Sequence, residues 1–508
     1  MNRSAYLTMR LNPEDNVIVA RVEISQGMEI QEEKITCKNR IPFGHKLATA
    51  AIKMDDPIRK YGQIIGFASC DIEPGEHVHT HNVMMKEFTR EHDVGVDAEK
   101  EMPKPEKDET FMGIVRSDGR VATRNYIGVI SPVNCSATVT RHVADLFRGD
   151  ALADFPNVDG VVPIYHGEGC GIEIGGGRYN MIMSALAGYA RHPNFAAVLT
   201  LGLGCEDCNV DAVLEIAGLE KGPNVQSMTI QDAGGTPKTV RKAAGIIRDM
   251  LPEANRVKRQ PVPAGHLVLG LQCGGSDAYS GITANPGLGA ASDRVVYQGG
   301  TVILGETPEI YGAEHLLTRR AASPEVAEKL IELIKWWEDY AAKNNAELNN
   351  NPTLGNKEGG LTTILEKSLG AAAKGGTTNL MEVYKYAETV TSKGLVFMDS
   401  PGYDPPSNTG IVAGGANILC FTTGRGSAYG CKPVPSIKLA SNSSIYHHME
   451  DDMDVNCGAI VDGEITMDEM GEHIFRMILD VASGKQSKSE IHGYGDSEFA
   501  PWVIGAMF

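Results

Sequence analysis

HLVLGLQCGGSDAYSGITANPGLG, residues 266 to 289, opens with a short apolar run from His266 to Leu271. A bounded run of this kind reads as a buried strand of a parallel sheet. It breaks into Cys273-Gly274-Gly275-Ser276-Asp277, followed by Ser280, Thr283 and Asn285. In open α/β sheets ligands bind in the loops just past the carboxyl ends of the strands. Two glycines there let the backbone approach a ligand closely, and a thiol, hydroxyls, a carboxylate and an amide follow at once. A plain strand-to-helix turn with a buried cysteine would use the same residues, so the rest of the chain has to decide.

The same design occurs three times upstream. YIGVISPVNC (126–135), VDGVVPIYHGEGC (158–170) and AAVLTLGLGCED (196–207) each read as a strand with a thiol just past its end, then a helix-like stretch. Cys135, Cys170 and Cys205 follow one another at intervals of 35 residues, and Cys273 comes 68 later. One βα unit takes roughly 30 or more residues, so the period is that of a parallel sheet whose carboxyl ends share one edge. The predicted class is α/β, with Rossmann-like parallel-sheet domains. Three or four thiols converging on that edge predict an iron site or an iron–sulfur cluster, since thiolates select such metals. His166 and Cys273 are further candidate ligands. Independently buried cysteines are the alternative.

The remaining chain frames these units. Residues 1–95 carry short strands and turns with no long helix, a small β domain. It contains Gly44-His45-Lys46 and the run His77-Val78-His79-Thr80-His81-Asn82. On a strand, alternation puts His77, His79 and His81 on one face, where neutral imidazoles could ligate a metal or move protons; a solvated edge strand would look the same. Residues 96–109 are charged and Pro-bearing, a predicted linker. A central α/β domain is expected over 110–257, a second linker at KRQPVPAGH (258–266), and a C-terminal α/β domain over 265–508. In the last, Asn356 and Lys357 lie in GNKEGG, and Thr423 and Arg425 in FTTGRGSAYG. Cations among glycines there can face a bound carboxylate.

Composition narrows the function. The net charge of −18 over 508 residues, with no basic stripe, argues against a nucleic-acid partner. An anionic ligand must be met by a few local cations. No apolar run reaches membrane-spanning length and the first residues lack a signal-peptide core, which predicts a cytoplasmic protein without a membrane partner. Ten cysteines in such a chain point to burial, ligation or catalysis rather than disulfides. Gly202-Leu203-Gly204 is followed by Asp207 where a dinucleotide fingerprint needs glycine, and Gly167-Glu168-Gly169 by Ile172. Nucleotide cofactors are therefore not expected.

Taken together, GHKLA (44–48), YGQIIGFA (61–68), HVHTHN (77–82), GLGCE (202–206), CGGSDAYSGITANP (273–286), GNKEGG (355–360) and FTTGRGSAYG (421–430) resemble the altronate/galactarate dehydratase family over essentially the whole chain. The resemblance implies an N-terminal SAF (β-clip) domain, a central and a large C-terminal domain, and dehydration of a hexonate or hexarate with a divalent metal, typically iron. HVHTHN and GETPEIYGAEHLL (305–317) are closer to altronate than to galactarate dehydratases. PTLGNK, GRGSAYG and HGEGC depart from the family's usual SPGNK, GRGTPYG and HxYGC, which leaves the substrate side of the last loop open.

The implied chemistry needs a clamp for the acid, removal of an α-proton and help for a departing hydroxide. Cys135, Cys170 and Cys205, with Cys273 or His166, are the expected ligands of the hydroxide-accepting metal. Lys357 and Arg425 are the expected carboxylate clamp, and His45, Lys46, His79 and His81 the proton-transfer groups on a closing N-terminal domain. Asp277 is a further catalytic candidate, and Ser276, Thr283, Asn285, Asn356 and Thr423 are expected to contact substrate. A rival scheme gives the metal to His79 and His81 and leaves the thiols structural. Galactarate dehydration, a sulfo-lyase reaction and plain sugar-acid binding are the competing functions. A homo-oligomer is compatible with all of them.

Overall fold

The computed structural model describes residues 7–86, 92–100, 103, 105, 107–505 and 507. The N-terminal segment is antiparallel β. Strands Thr8–Met9, Val17–Ala20, Lys46–Ala48 and His77–Val78 form one small sheet; Pro57–Lys60, Gln63–Ala68 and Val83–Met84 form another. In Val17–Ala20 all four side chains are buried, because successive residues feed cores on opposite faces of the sheet. One of those cores is completed by Leu369 and Ala372 of the C-terminal domain. The β domain is thus docked on the third domain.

The strand expected to carry three histidines ends after Val78. Asn82 closes the turn that follows: its amide donates to the carbonyl of His79, and its side chain bonds His79 N–H and the His77 carbonyl. The rings are gathered by this turn rather than by strand alternation.

The central domain is a four-stranded, wholly parallel sheet in the order Gly160–Ile164, Tyr126–Ile130, Phe195–Gly202, Val225–Thr229. Helices Asn134–Asp145 and Thr236–Ala254 cover one face, and Gly177–Ala190 and Val210–Ala217 the other. The C-terminal domain is a seven-stranded parallel sheet ordered Leu380–Tyr384, Gly394–Met398, Thr301–Leu304, Val268–Cys273, Ile418–Thr423, Ser436–Ala440, Val455–Asn456. A side chain on Gly188 would meet Ala413 of helix Asp404–Ala413 at 2.6 Å, so Gly188 lets the two α/β domains pack helix on helix into one continuous core.

The segment read as a second linker is structured. Gln260–Pro263 pairs antiparallel with Thr110–Val115, whose other neighbour is Val121–Ala122. Pro261 and Pro263 fit because this is an edge strand, where a missing N–H costs no ladder bond. In both large sheets the chain reverses direction of strand addition once: between Tyr126–Ile130 and Phe195–Gly202, and between Val268–Cys273 and Ile418–Thr423. These are the switch points where parallel sheets open a crevice. Among the described residues no helix is long and apolar enough to cross a membrane.

Candidate active site

At the C-terminal domain's switch point two glycine-bearing loops are laced together. Gly274 N–H donates to Thr422 O, and Gly424 and Arg425 N–H both donate to Gly275 O. Gly424 has no room for a side chain, since a Cβ would lie 2.1 Å from Asp277 Cγ. Asp277 is buried and its oxygens are taken: Ser280 N–H, Ser280 Oγ and Ser441 Oγ donate to one, Asn442 Nδ2 to the other. It organises the loop.

Several expected substrate contacts turn out to be scaffold of the same kind. Thr283 donates to Tyr279 O and Ser441 O; Asn285 bonds Gly370 O and Thr422 Oγ1; Thr423 Oγ1 accepts from Gly426 N–H. Asn356 caps its own helix with Thr353 and donates to the carbonyl of buried Ser276. Buried polar groups need such partners, and here the protein supplies them all. Lys357 differs. It is half-buried and makes no side-chain hydrogen bond or ion pair among the described residues. Arg425 is exposed, 3.3 Å from Glu358.

The β domain brings its histidines to this loop pair. His45 Nε2 is 3.1 Å from the carbonyl oxygen of Glu358. A carbonyl only accepts, so Nε2 carries the hydrogen and Nδ1 keeps its lone pair. That lone pair lies 3.0 Å from His77 Nε2. A second-nitrogen bond to a backbone carbonyl is how metal-binding imidazoles are oriented. The His45 and His79 ring centroids are 4.6 Å apart, and His79 Nδ1 is buried without a hydrogen-bond partner among the described residues. One nitrogen each from His45, His77 and His79 falls within 4.8 Å of the others, a set that fits a single divalent ion. Burial, then neighbouring His45, hold His77 neutral down to about 3; burial, then Lys46, do the same for His79. His81, expected in the rival set, is exposed outside this group, with its ring 5.4 Å from that of His77.

Beneath the imidazoles is a buried ionic knot. Lys46 Nζ donates to Gly360 O and to both oxygens of Glu366, at 2.7, 2.9 and 2.8 Å. Lys60 Nζ adds a bond of 2.9 Å to Glu366, and Thr362 donates to it through N–H and Oγ1. Burial pushes the Lys46 ammonium down to about 8; Glu366 and Tyr61 outweigh burial at Lys60 and move it up. Two cations on one carboxylate leave a surplus positive charge at the site of an otherwise acidic chain. Neither Lys60 nor Glu366 was singled out from sequence. Lys60 ends a short strand and Glu366 lies in a helix buried along its whole length, with no motif to mark them.

The thiols divide between the two sheets. Cys273 is the last residue of its strand in the seven-stranded sheet and is buried beside Glu306 and Glu309. Its sulfur is bonded to Lys374, Glu306 and Glu309 and groups with those carboxylates rather than with the other three thiols. Cys135, Cys170 and Cys205 lie exposed past three neighbouring strands of the central sheet. Their loops touch, since Gly169 packs on Pro132 and Val133 and its carbonyl accepts from Cys208 N–H. Their three sulfurs do not all lie within 4.8 Å of one another, so they form no compact single-ion site; a cluster with one thiolate per iron asks for wider spacing. His166 is kept neutral by burial down to about 4, accepts from Glu168 N–H at Nδ1, and lines a cleft of about 400 Å³ with Asn134, Arg141 and Tyr165.

Comparison with known proteins covers all three domains. Residues 6–86 match the altronate/galactarate dehydratase SAF domain, 113–255 the D-galactarate dehydratase/altronate hydrolase second domain, and 264–507 the D-galactarate/altronate dehydratase C-terminal domain. The chain is 33% identical to altronate dehydratase of Bacillus subtilis over 94% of its length and 95% of the relative's. It is 36% identical to galactarate dehydratase (L-threo-forming) of Escherichia coli, covering 93% and 90%. The β subunit of (2R)-sulfolactate sulfo-lyase of Chromohalobacter salexigens is 32% identical over 76% of this chain and 96% of that subunit. The chain belongs to the D-galactarate/altronate dehydratase family, and with it to the sugar-acid hydro-lyases.

Proposed function

We propose that the chain dehydrates D-altronate to 2-dehydro-3-deoxy-D-gluconate, using a divalent ion, iron in the first instance, held by His45, His77 and His79. The observation that carries this is the imidazole trio standing on the surplus positive charge of Lys46, Lys60 and Glu366. The substrate carboxylate is met by Arg425 and Lys357 from the loop pair. The buried surplus charge lowers the cost of the second negative charge that develops when the α-proton leaves. His81, exposed beside the trio, takes that proton; Lys46 has its donors committed and acts through its field. Once bound, the ion supplies Lewis acidity toward the carboxylate and the departing hydroxide. Docking of the β domain against the 355–360 loop completes the site and excludes water.

Altronate is favoured by HVHTHN, whose turn brings His77 and His79 beside His45 and leaves His81 exposed next to them. Galactarate is the second reading, favoured by the 36% identity to a galactarate dehydratase. Turnover of D-altronate, galactarate and (2R)-sulfolactate on one anaerobic preparation separates them. Keto-acid formation from altronate alone supports the proposal. Preference for galactarate moves the substrate, and sulfite release from sulfolactate moves the reaction class.

A further inference from the structure

Behind the Gly274–Asp277 loop lies a second ionic cluster that the dehydration does not use. Cys273 Sγ is 2.8 Å from Lys374 Nζ, 3.2 Å from Glu309 Oε2 and 3.5 Å from Glu306 Oε2. Lys374 Nζ is 3.2 Å from Glu306, and Lys367 Nζ is 2.7 Å from Glu309. All five residues are buried. Glu306 sits at φ 65° just past its strand, and one of its oxygens has no partner among the described residues. Cys273, Glu306 and Glu309 have the spacing of a metal site. Here, however, the place of the cation is already taken: Lys374 Nζ is bonded to Cys273 and Glu306, and Lys367 Nζ to Glu309.

A thiol held against an amine invites a different chemistry. We propose that Cys273 and Lys374 are a modification site, at which dioxygen closes a covalent Sγ–O–Nζ bridge that thiol reductants reopen. The thiol S–H and two N–H bonds of the ammonium break, S–O and N–O bonds form, and the second oxygen atom leaves as water with one proton released. Sulfur and nitrogen each give up two electrons, and dioxygen takes all four. Two equivalents of dithiol restore thiol, amine and water.

Three features suit the pair to this. The sulfur and nitrogen are already so close that a single inserted atom joins them without moving the backbone. Glu306 and Glu309 flank the reacting atoms and can take up the released proton; burial, with Glu309 adding to it, raises Glu306 to about 8. No other cysteine contacts Cys273 among the described residues, so a first oxidation product at sulfur meets the amine rather than a second thiol. Closing the bridge removes the Lys374 charge from beside Glu306. It also ties the start of the Gly274–Asp277 loop to the short turn, Ala373–Gly375, that follows the helix carrying Glu366. This proposal stands on the cluster alone and does not depend on which sugar acid is the substrate.

Intact-mass measurement and peptide mapping of the full-length chain, held in air or anaerobically with dithiothreitol, test it. The expected result is a gain of one oxygen less two hydrogens per chain in air, reversed by dithiothreitol, with the peptides containing Cys273 and Lys374 joined. Lys374→Arg and Cys273→Ser should abolish the gain. Wild-type chain with no joined peptide after exposure to air overturns the proposal, as does the gain of whole oxygens on Cys273 with Lys374 free. The wild-type peptide map decides even if a variant fails to fold.

Discussion

Lys46, from a strand of the N-terminal β domain, donates to both carboxylate oxygens of Glu366, from a helix of the C-terminal domain. Both side chains are fully buried. An ion pair so placed joins two domains through residues 320 positions apart and sets the charge beneath the imidazole trio. Such a pair contributes little net stability, because desolvation offsets the attraction, but removing one partner strands the other's charge.

Glu366→Gln should therefore be costly, leaving Lys46 and Lys60 without a counter-charge. A loss of about 3–5 kcal/mol is expected for breaking a buried pair, read as a lower denaturant midpoint together with loss of turnover. A variant as stable as wild type would show that the knot is hydrated and that the domains are held by apolar contacts alone.

The buried histidines make stability depend on pH. In the unfolded chain His77 and His79 take up protons near the ordinary value of 6.5, whereas the folded chain keeps both neutral to about 3. Across that window the unfolded state binds more protons, so stability falls as pH falls. Urea midpoints of metal-free protein should drop between pH 7 and pH 5, and the drop should shrink in the His77→Ala/His79→Ala variant. An unchanged slope in that variant would place the acid sensitivity elsewhere.

How much of this could be read from sequence follows from what periodicity encodes. The two parallel sheets were legible because the thiol-ended strands recur at βα spacing, and the long motifs fixed the family. Cys273 was grouped with Cys135, Cys170 and Cys205 although the same reading put a linker between them; its buried partners Glu306, Glu309 and Lys374 lie far along the chain and carry no local signal. The paired strand Gln260–Pro263 was missed because two prolines in a short polar stretch read as linker; only its edge position accommodates them. The histidine turn was legible as HxHxH, but its geometry depends on Asn82, whose side chain closes the turn and leaves His81 outside. Glu366 and Lys374 carry no local signal at all. Their role is created by partners far away in the chain.

Arg425 is exposed and bonded weakly to Glu358 across 3.3 Å, so it is free to turn to a ligand. Arg425→Ala should leave stability near wild type and lower kcat/KM for the sugar acid by roughly 10–150-fold, the equivalent of about 1.5–3 kcal/mol for a bond to a charged group. Steady-state kinetics decide it, and unaltered kcat/KM would remove Arg425 from the carboxylate clamp.

Gly424→Ala probes the loop pair without touching any charge. Its methyl group would collide with the Asp277 carboxyl, so the loop must shift. Turnover should fall by at least ~10-fold, since small displacements of positioning groups are expensive, while the far-ultraviolet spectrum stays unchanged. Wild-type turnover would mean that the Asp277 loop does not shape the site.

The central claim is that His45, His77 and His79, rather than the exposed thiols, hold the catalytic ion. Iron and acid-labile sulfide per chain should be measured, with turnover of D-altronate, on anaerobically purified wild type, His79→Ala and Cys170→Ser. The account predicts about one iron without sulfide in wild type, loss of iron and turnover in His79→Ala, and retention of both in Cys170→Ser. Sulfide in the wild type, with iron and turnover lost in Cys170→Ser but iron kept in His79→Ala, would contradict it and give the metal to the central sheet.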